Sequence, residues 1–142
     1  MRVASFNVNG IRAASRRGFD RWLAGRDCDV VGLQELRCPV EELPTAAFGD
    51  YIVTYHPGLL AGRNGVAILS RIAPTDVRHG FGHRTFDSEG RYVEIDLDGD
   101  GGGPALTVGS LYLPKGGRRP RASPSWRATA ARCGSWRRSA AT

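Results

Sequence analysis

The run VVGL at residues 30–33 constrains the fold more than any other stretch of the chain. It carries no polar side chain and ends abruptly in Gln34 and Glu35. A strand this apolar suits burial on both faces, so it needs one layer above it and another below. A first strand is expected upstream over residues 2–8, where Val3 and Phe6 favour β structure. A helix is expected between the two over residues 13–25, because Phe19, Trp22 and Leu23 recur at i, i+3 and i+4 and Gly25 can end it. Strand, helix, strand in that order predicts an α/β fold with helices laid against a sheet.

The remaining pattern is rich in strands. Residues 51–55, 65–70, 74–79, 92–97 and 105–113 read as further strands, and residues 40–48 as a short helical or irregular piece interrupted by Pro44. Asn64 and Gly65 form a hairpin-type turn signal. Residues 80–90 read as a solvated polar loop: His79, His83, Asp87 and Glu89 fit no metal-ligand spacing. The glycine-rich turn at 98–104 lacks the spacing and terminal glutamate of a calcium loop. On the expected helix, Arg16, Arg17 and Arg21 read as a solvated face, with Arg12 the exception because it directly follows a pair of asparagines.

That pair, Asn7 and Asn9, lies at the end of the first strand. Asparagine is disfavoured inside strands, and side chains at i and i+2 share a face, so the two amides are expected to point the same way and line a cleft. Glu35 closes the second strand, where a lone acid next to buried backbone needs a cation, a donor or water. Magnesium is one such cation, since it takes oxygen ligands and often uses only one or two carboxylates plus a substrate phosphate. A later strand brings Tyr112 just before Pro114.

Composition removes several classes. No apolar run reaches the roughly 18 residues of a membrane span, and Met1 opens no signal-peptide pattern, so the expectation is a soluble cytoplasmic protein. Cys28, Cys38 and Cys133 are too few and too widely spaced for a disulfide framework or a zinc site. The net charge of +6 is unevenly placed: thirteen basic residues face fourteen acidic ones through Lys115, and seven arginines face no acid from Gly116 onward. The basic balance therefore says little about what the folded part binds.

Five motifs occur in a set order: SFNVNGIRA at residues 5–13, LQELR at 33–37, GRNGVAILSR at 62–71, EGRYVEIDL at 89–97 and SLYLPKGG at 110–117. In wording and order they resemble the exodeoxyribonuclease III and AP endonuclease family, within the endonuclease/exonuclease/phosphatase superfamily. The resemblance covers residues 1–117 and implies a four-layer αββα sandwich with mixed β-sheets, of which this chain supplies the N-terminal half. It implies Mg²⁺- or Mn²⁺-dependent hydrolysis of phosphodiester bonds at abasic sites and 3′ ends of double-stranded DNA, by a protein monomeric at full length. Carried over by motif, Glu35 is the metal-binding carboxylate, and Asn7 a neighbour that binds or orients metal or nucleophile. Asn9 and Arg12 are substrate-binding cleft residues, and Tyr112 contacts the scissile phosphate. The family's downstream Asp-x-Asn and Ser-Asp-His motifs are missing, so the chain by itself is expected to be inactive, with one sheet exposing an apolar face and solubility poor. Two alternatives remain: a phosphatase or phosphodiesterase of the same superfamily, and a non-catalytic DNA-binding fragment that uses the arginine tail.

Residues 116–142 use only eight residue types, Gly, Arg, Pro, Ala, Ser, Trp, Thr and Cys. By composition residues 118–142 are expected to be disordered. All eight types have codons whose second base is G or C. A one-base slip in a GC-rich gene, which reads former third positions as second positions, confines the product to this alphabet, so a frameshift at or just after Gly117 is expected. Sequencing the gene from the codon of Ser110 past the stop tests it: another frame should supply Asp-x-Asn and a terminal Ser-Asp-His, and a gene without either in any frame removes the explanation.

Overall fold

The computed structural model describes residues 1–60, 62–99 and 105–113. Within them the order is β1 (Val3–Asn7), α1 (Ile11–Arg16), α2 (Phe19–Arg26), β2 (Val30–Gln34), β3 (Ile52–His56), β4 (Val66–Ser70), β5 (Asp76–His79), α3 (Arg84–Ser88), β6 (Tyr92–Leu97) and β7 (Leu106–Leu111). Two 3-10 turns, Val40–Glu42 and Thr45–Phe48, stand on either side of Pro44 between β2 and β3. The chain is thus α/β, as its strand and helix order predicts. No helix among the described residues is long and apolar enough to cross a membrane.

Four strands form a mixed sheet in the order β1-β2-β4-β3, in which β1 runs parallel to β2 and the other pairs are antiparallel. The other three form an antiparallel sheet, β5-β6-β7. Alternation along β2 and β4 decides how the layers stack. Val31, Leu33, Ala67 and Leu69 pack into one cluster with Ile11, Phe19, Leu23 and Phe48 from the helical layer. Their neighbours Val30, Val66 and Ile68 pack into a second cluster with Val93, Ile95 and Leu97 of β6. Each of these β2 and β4 residues is fully buried, which is what their unbroken apolar sequence requires.

This stacking corrects one expectation. The mixed sheet does not present a bare apolar face, because the antiparallel sheet of the same chain already covers it. The outer face of that second sheet is polar instead. Arg78 on β5 bonds Glu94 at 2.6 Å and both oxygens of Asp96 at 2.7 Å, and Thr107 donates to Asp96 at 2.6 Å. These bonds, Arg78 foremost, hold the Asp96 carboxyl down at about 2. Exposed large apolar side chains lie partly on the open strand edges, in Val3, Leu106 and Leu111, and partly in the connections, where Leu59 and Phe81 are among the most exposed.

Three local readings are also corrected. The helix expected over 13–25 is two helices, because Gly18 takes φ 92° in the left-handed region and its N–H bonds Ser15, which turns the chain between α1 and α2. Asp27, at φ 48°, ends α2 rather than Gly25. The loop at 80–90 contains α3, capped when His83 Nδ1 accepts from Phe86 N–H at 3.4 Å, while Asp87 accepts from Phe81 and Gly82 N–H at 3.0 Å each. Asn64 and Gly65 do not form a two-residue hairpin tip; they lead into β4 at the end of the longer 57–65 connection. The expectations for residues 116–142, and for most of the 98–104 turn, lie outside the described residues.

The 57–65 connection is pinned to the α3–β6 junction by a backbone crossing. Leu59 N–H bonds Ser88 C=O at 2.8 Å, and Gly58 and Gly90 pass so closely that a Cβ on Gly90 would sit 2.4 Å from Gly58 N. Gly90 also holds φ 63°. Gly90→Ala should therefore destabilise the chain by about 3 kcal/mol in urea unfolding, through a clash added to backbone strain. Gly82→Ala, also left-handed but with open space around its Cβ, should cost only about 1–2 kcal/mol.

Candidate active site at the strand ends

Parallel pairing of β1 with β2 brings Asn7 opposite Gln34, so both strands finish at the same edge of the sheet. The chain leaving β1 is stitched to the chain leaving β2: Val8, Gly10 and Ile11 N–H groups bond the carbonyls of Gln34, Glu35 and Leu36 at 3.0, 2.8 and 2.9 Å. On the other flank Leu36 and Arg37 N–H groups bond the carbonyls of Gly65 and Asn64 at 3.1 and 2.9 Å. Leu36 is fully buried, while Glu35 and Arg37 on either side of it hold φ 55° and 50°. Left-handed backbone at two non-glycine residues is strained, and such strain persists only where the surroundings enforce it. Here four backbone hydrogen bonds and a buried leucine enforce it, and they aim Glu35 at the strand-end surface.

β7 delivers the third element. Ser110 Oγ donates to Leu33 C=O at 3.1 Å, and Gln34 Nε2 reaches Ser110 Oγ at 3.1 Å and Ser5 Oγ at 3.2 Å. The link fixes the end of β7 against the end of β2 and sets Tyr112 beside Glu35.

Glu35 is the centre of the group. Asn7 Nδ2 donates to its Oε1 at 2.8 Å, and Arg37 pairs with its Oε2. Its side chain is only 12% exposed. The Asn7 hydrogen bond holds the carboxyl below the usual glutamate range; burial opposes the shift, and the Tyr112 phenol and Arg37 guanidinium reinforce it. The same contact acts in reverse on Tyr112, whose phenol is pushed up by the hydrogen bond with Glu35 and by burial. At neutral pH the pair is an ionised carboxylate beside a protonated phenol.

Asn7, Glu35 and Tyr112, expected together, are therefore together. Asn9 lies beyond the strand at φ 46°, where strand alternation no longer sets its side chain, and its N–H donates to Asn7 Oδ1 at 3.0 Å. Arg12 is ion-paired to Glu42 of the first 3-10 turn and makes no bond to the Glu35 group among the described residues.

Two residues of the site escaped the sequence reading. Arg37 lies in the second motif, two residues past Glu35, but its approach depends on left-handed backbone that the letters do not announce. Arg91 is 8% exposed and pairs with Glu89; its guanidinium carbon lies 5.2 Å from the Tyr112 ring centre, and its C=O accepts from Tyr112 N–H at 2.8 Å. A buried arginine stacked on an aromatic is a seat for that ring. Its signal was present in the fourth motif, where it is the one basic residue.

A helical layer, a mixed sheet and an antiparallel sheet, with a carboxylate, a carboxamide and a phenol gathered at the strand ends, define a layered α/β sandwich whose polar site lies at the edge of its core. The family model described as the Endonuclease/Exonuclease/phosphatase family matches residues 4–141, and the chain belongs to that family. It is 32% identical over 123 residues to the DNA repair nuclease APEX1 of Danio rerio, covering 83% of this chain and 37% of that protein. It is 34% identical over 122 residues to exodeoxyribonuclease III of Haemophilus influenzae, covering 84% of this chain and 43% of that one. The solved structure of an AP endonuclease from Archaeoglobus fulgidus superposes with a TM-score of 0.66 at 31% identity, over 80% of this chain and 42% of the other. The chain thus corresponds to the N-terminal portion of such proteins and spans about two-fifths of their length.

The geometry makes a measurable prediction. By NMR, Glu35 should titrate below the ordinary glutamate value of about 4.3, and Asn7→Ala should raise it. Because the folded-state value is depressed, Glu35 contributes stability that is complete above the unfolded-state value and is lost as pH falls through the folded one. An unchanged titration in Asn7→Ala would remove Asn7 as the main cause.

Proposed function

We propose that this chain carries the carboxylate-bearing part of a divalent-metal-dependent phosphodiesterase site that acts on duplex DNA at abasic positions and 3′ ends. The observation that carries the reading is the gathering of Asn7 and Tyr112 around Glu35 at the ends of β1, β7 and β2, with Asn7 Nδ2 donating to Glu35 Oε1 at 2.8 Å. Similarity to a DNA repair nuclease and to an exodeoxyribonuclease III supports the choice of substrate class.

The donor set fits Mg²⁺ or Mn²⁺ held at one edge. Glu35 is ionised and would be the oxygen ligand, and among the described residues no group of three His, Cys, Asp or Glu stands ready to cage an ion. One carboxylate, with water and substrate phosphate completing the shell, is an ordinary arrangement for magnesium. Glu35 would hold the cation there, which would supply neutralisation of phosphate charge and polarisation of the P–O bond. Asn7 holds the carboxylate still through Nδ2, and its own Oδ1 is kept in place by Asn9 N–H. Tyr112 stays protonated; its one phenolic proton, directed at Glu35 in the free chain, turns to a phosphate oxygen when substrate arrives and positions it without adding negative charge. Arg12, held over the α1 surface by Glu42, approaches the nucleic-acid backbone nearby.

Water activation in this reading falls to the Asp-x-Asn and Ser-Asp-His motifs, which the chain does not contain. Incubated with Mg²⁺ and an abasic duplex, the 142-residue chain should give no turnover above background. In a protein that joins it to those motifs, Asn7→Ala should lower Mg²⁺-dependent cleavage about 10- to 100-fold and Glu35→Gln by more. Near-normal turnover in Glu35→Gln would remove Glu35 from the metal role.

A further inference from the structure

Arg37 has no part in the reading above, yet it is the group that occupies Glu35 Oε2. The pairing is built by the backbone. Glu35 and Arg37 are both left-handed, the buried Leu36 lies between them, and the carbonyls of Asn64 and Gly65 hold the amides of Arg37 and Leu36. Both side chains therefore leave the chain on the surface side of a rigid three-residue loop.

The two partners differ in freedom. Glu35 is 12% exposed and held at Oε1 by Asn7, while Arg37 is 45% exposed and its guanidinium has no second partner among the described residues. The carboxylate is the fixed member of the pair and the guanidinium the one able to leave. An arginine cannot relieve the contact by losing its proton, so any other cation that takes Oε2 has to displace the whole side chain.

Resting on the proposed metal role of Glu35, we propose that Arg37 is a stand-in cation. It compensates the Glu35 charge while no divalent ion is bound and swings into solvent when one binds, so that it competes with the ion and sets the affinity of the site. A largely buried carboxylate without a partner is costly, and a tethered guanidinium stabilises it in the meantime.

The test is direct Mn²⁺ binding to the 142-residue chain, read from the electron paramagnetic resonance of free Mn²⁺, for wild type, Arg37→Ala, Arg37→Gln and Glu35→Gln. Both Arg37 variants should bind about three- to tenfold more tightly than wild type, and Glu35→Gln should lose the site. The gain should persist in 1 M salt, where the screening length is about 3 Å, because direct competition does not depend on the long-range field of the arginine charge. In a parallel Mg²⁺ titration of wild type, the ¹⁵N resonances of the Arg37 guanidinium should move with the same midpoint as the Glu35 side-chain carboxyl ¹³C resonance. Glu35-dependent Mn²⁺ binding that is unchanged or weaker in both Arg37 variants, or a gain abolished by salt, overturns the role of Arg37 and leaves the metal role of Glu35 standing. Binding unaffected by Glu35→Gln overturns both.

Discussion

Burial of β2 on both faces is the constraint on which the rest depends. Its side chains alternate between the helical layer and the second sheet, so the strand belongs to two hydrophobic clusters at once. Once both are filled, β2 has almost no freedom to slide, because a one-residue shift exchanges every contact on both faces. The positions of β1 and β4 follow from their pairing with β2, and that of β7 from the contact of Ser110 with Leu33 and Gln34. A strand so constrained makes a rigid base for chemistry at its end.

The site uses that rigidity. Where β2 leaves the core, the chain turns through two left-handed residues around a buried leucine, and the carboxylate emerges at the surface under full backbone restraint. Asn7 comes with β1, Tyr112 with β7, and Arg91 seats the tyrosine from the start of β6. Four strands of two sheets thus converge on one carboxylate whose charge every neighbour favours. Such convergence places groups to within a hydrogen bond without demanding much of any single loop.

The charged groups divide into two kinds. On the outer face of the antiparallel sheet, Arg78 with Glu94 and Asp96 forms a solvated network that keeps a polar exterior over an apolar interior. At the strand ends, Glu35 is drawn out of water and depends on its donors. The first kind adjusts solubility and is screened by salt; the second is costly to leave unpaired, which is why a donor or cation occupies each of its oxygens.

By itself, the sequence determined the elements that rest on periodicity and on strong local signals. The apolar run at 30–33, the strand at 92–97 and the split of 40–48 at Pro44 were all legible, because side-chain period and proline geometry act over a few residues. Asn7, Glu35 and Tyr112 were legible as candidates because polar residues at the ends of apolar strands are out of place there, and the motif order tied them to one family. Only the tertiary structure decided the break at Gly18, the short helix at 84–88, the left-handed backbone at Asn9, and the arrival of Arg37 and Arg91 at the site. It also decided that the second sheet covers the first. Each of these depends on where a distant segment packs, or on a left-handed backbone that distant hydrogen bonds enforce, and contacts made across the fold leave no period in the chain that makes them.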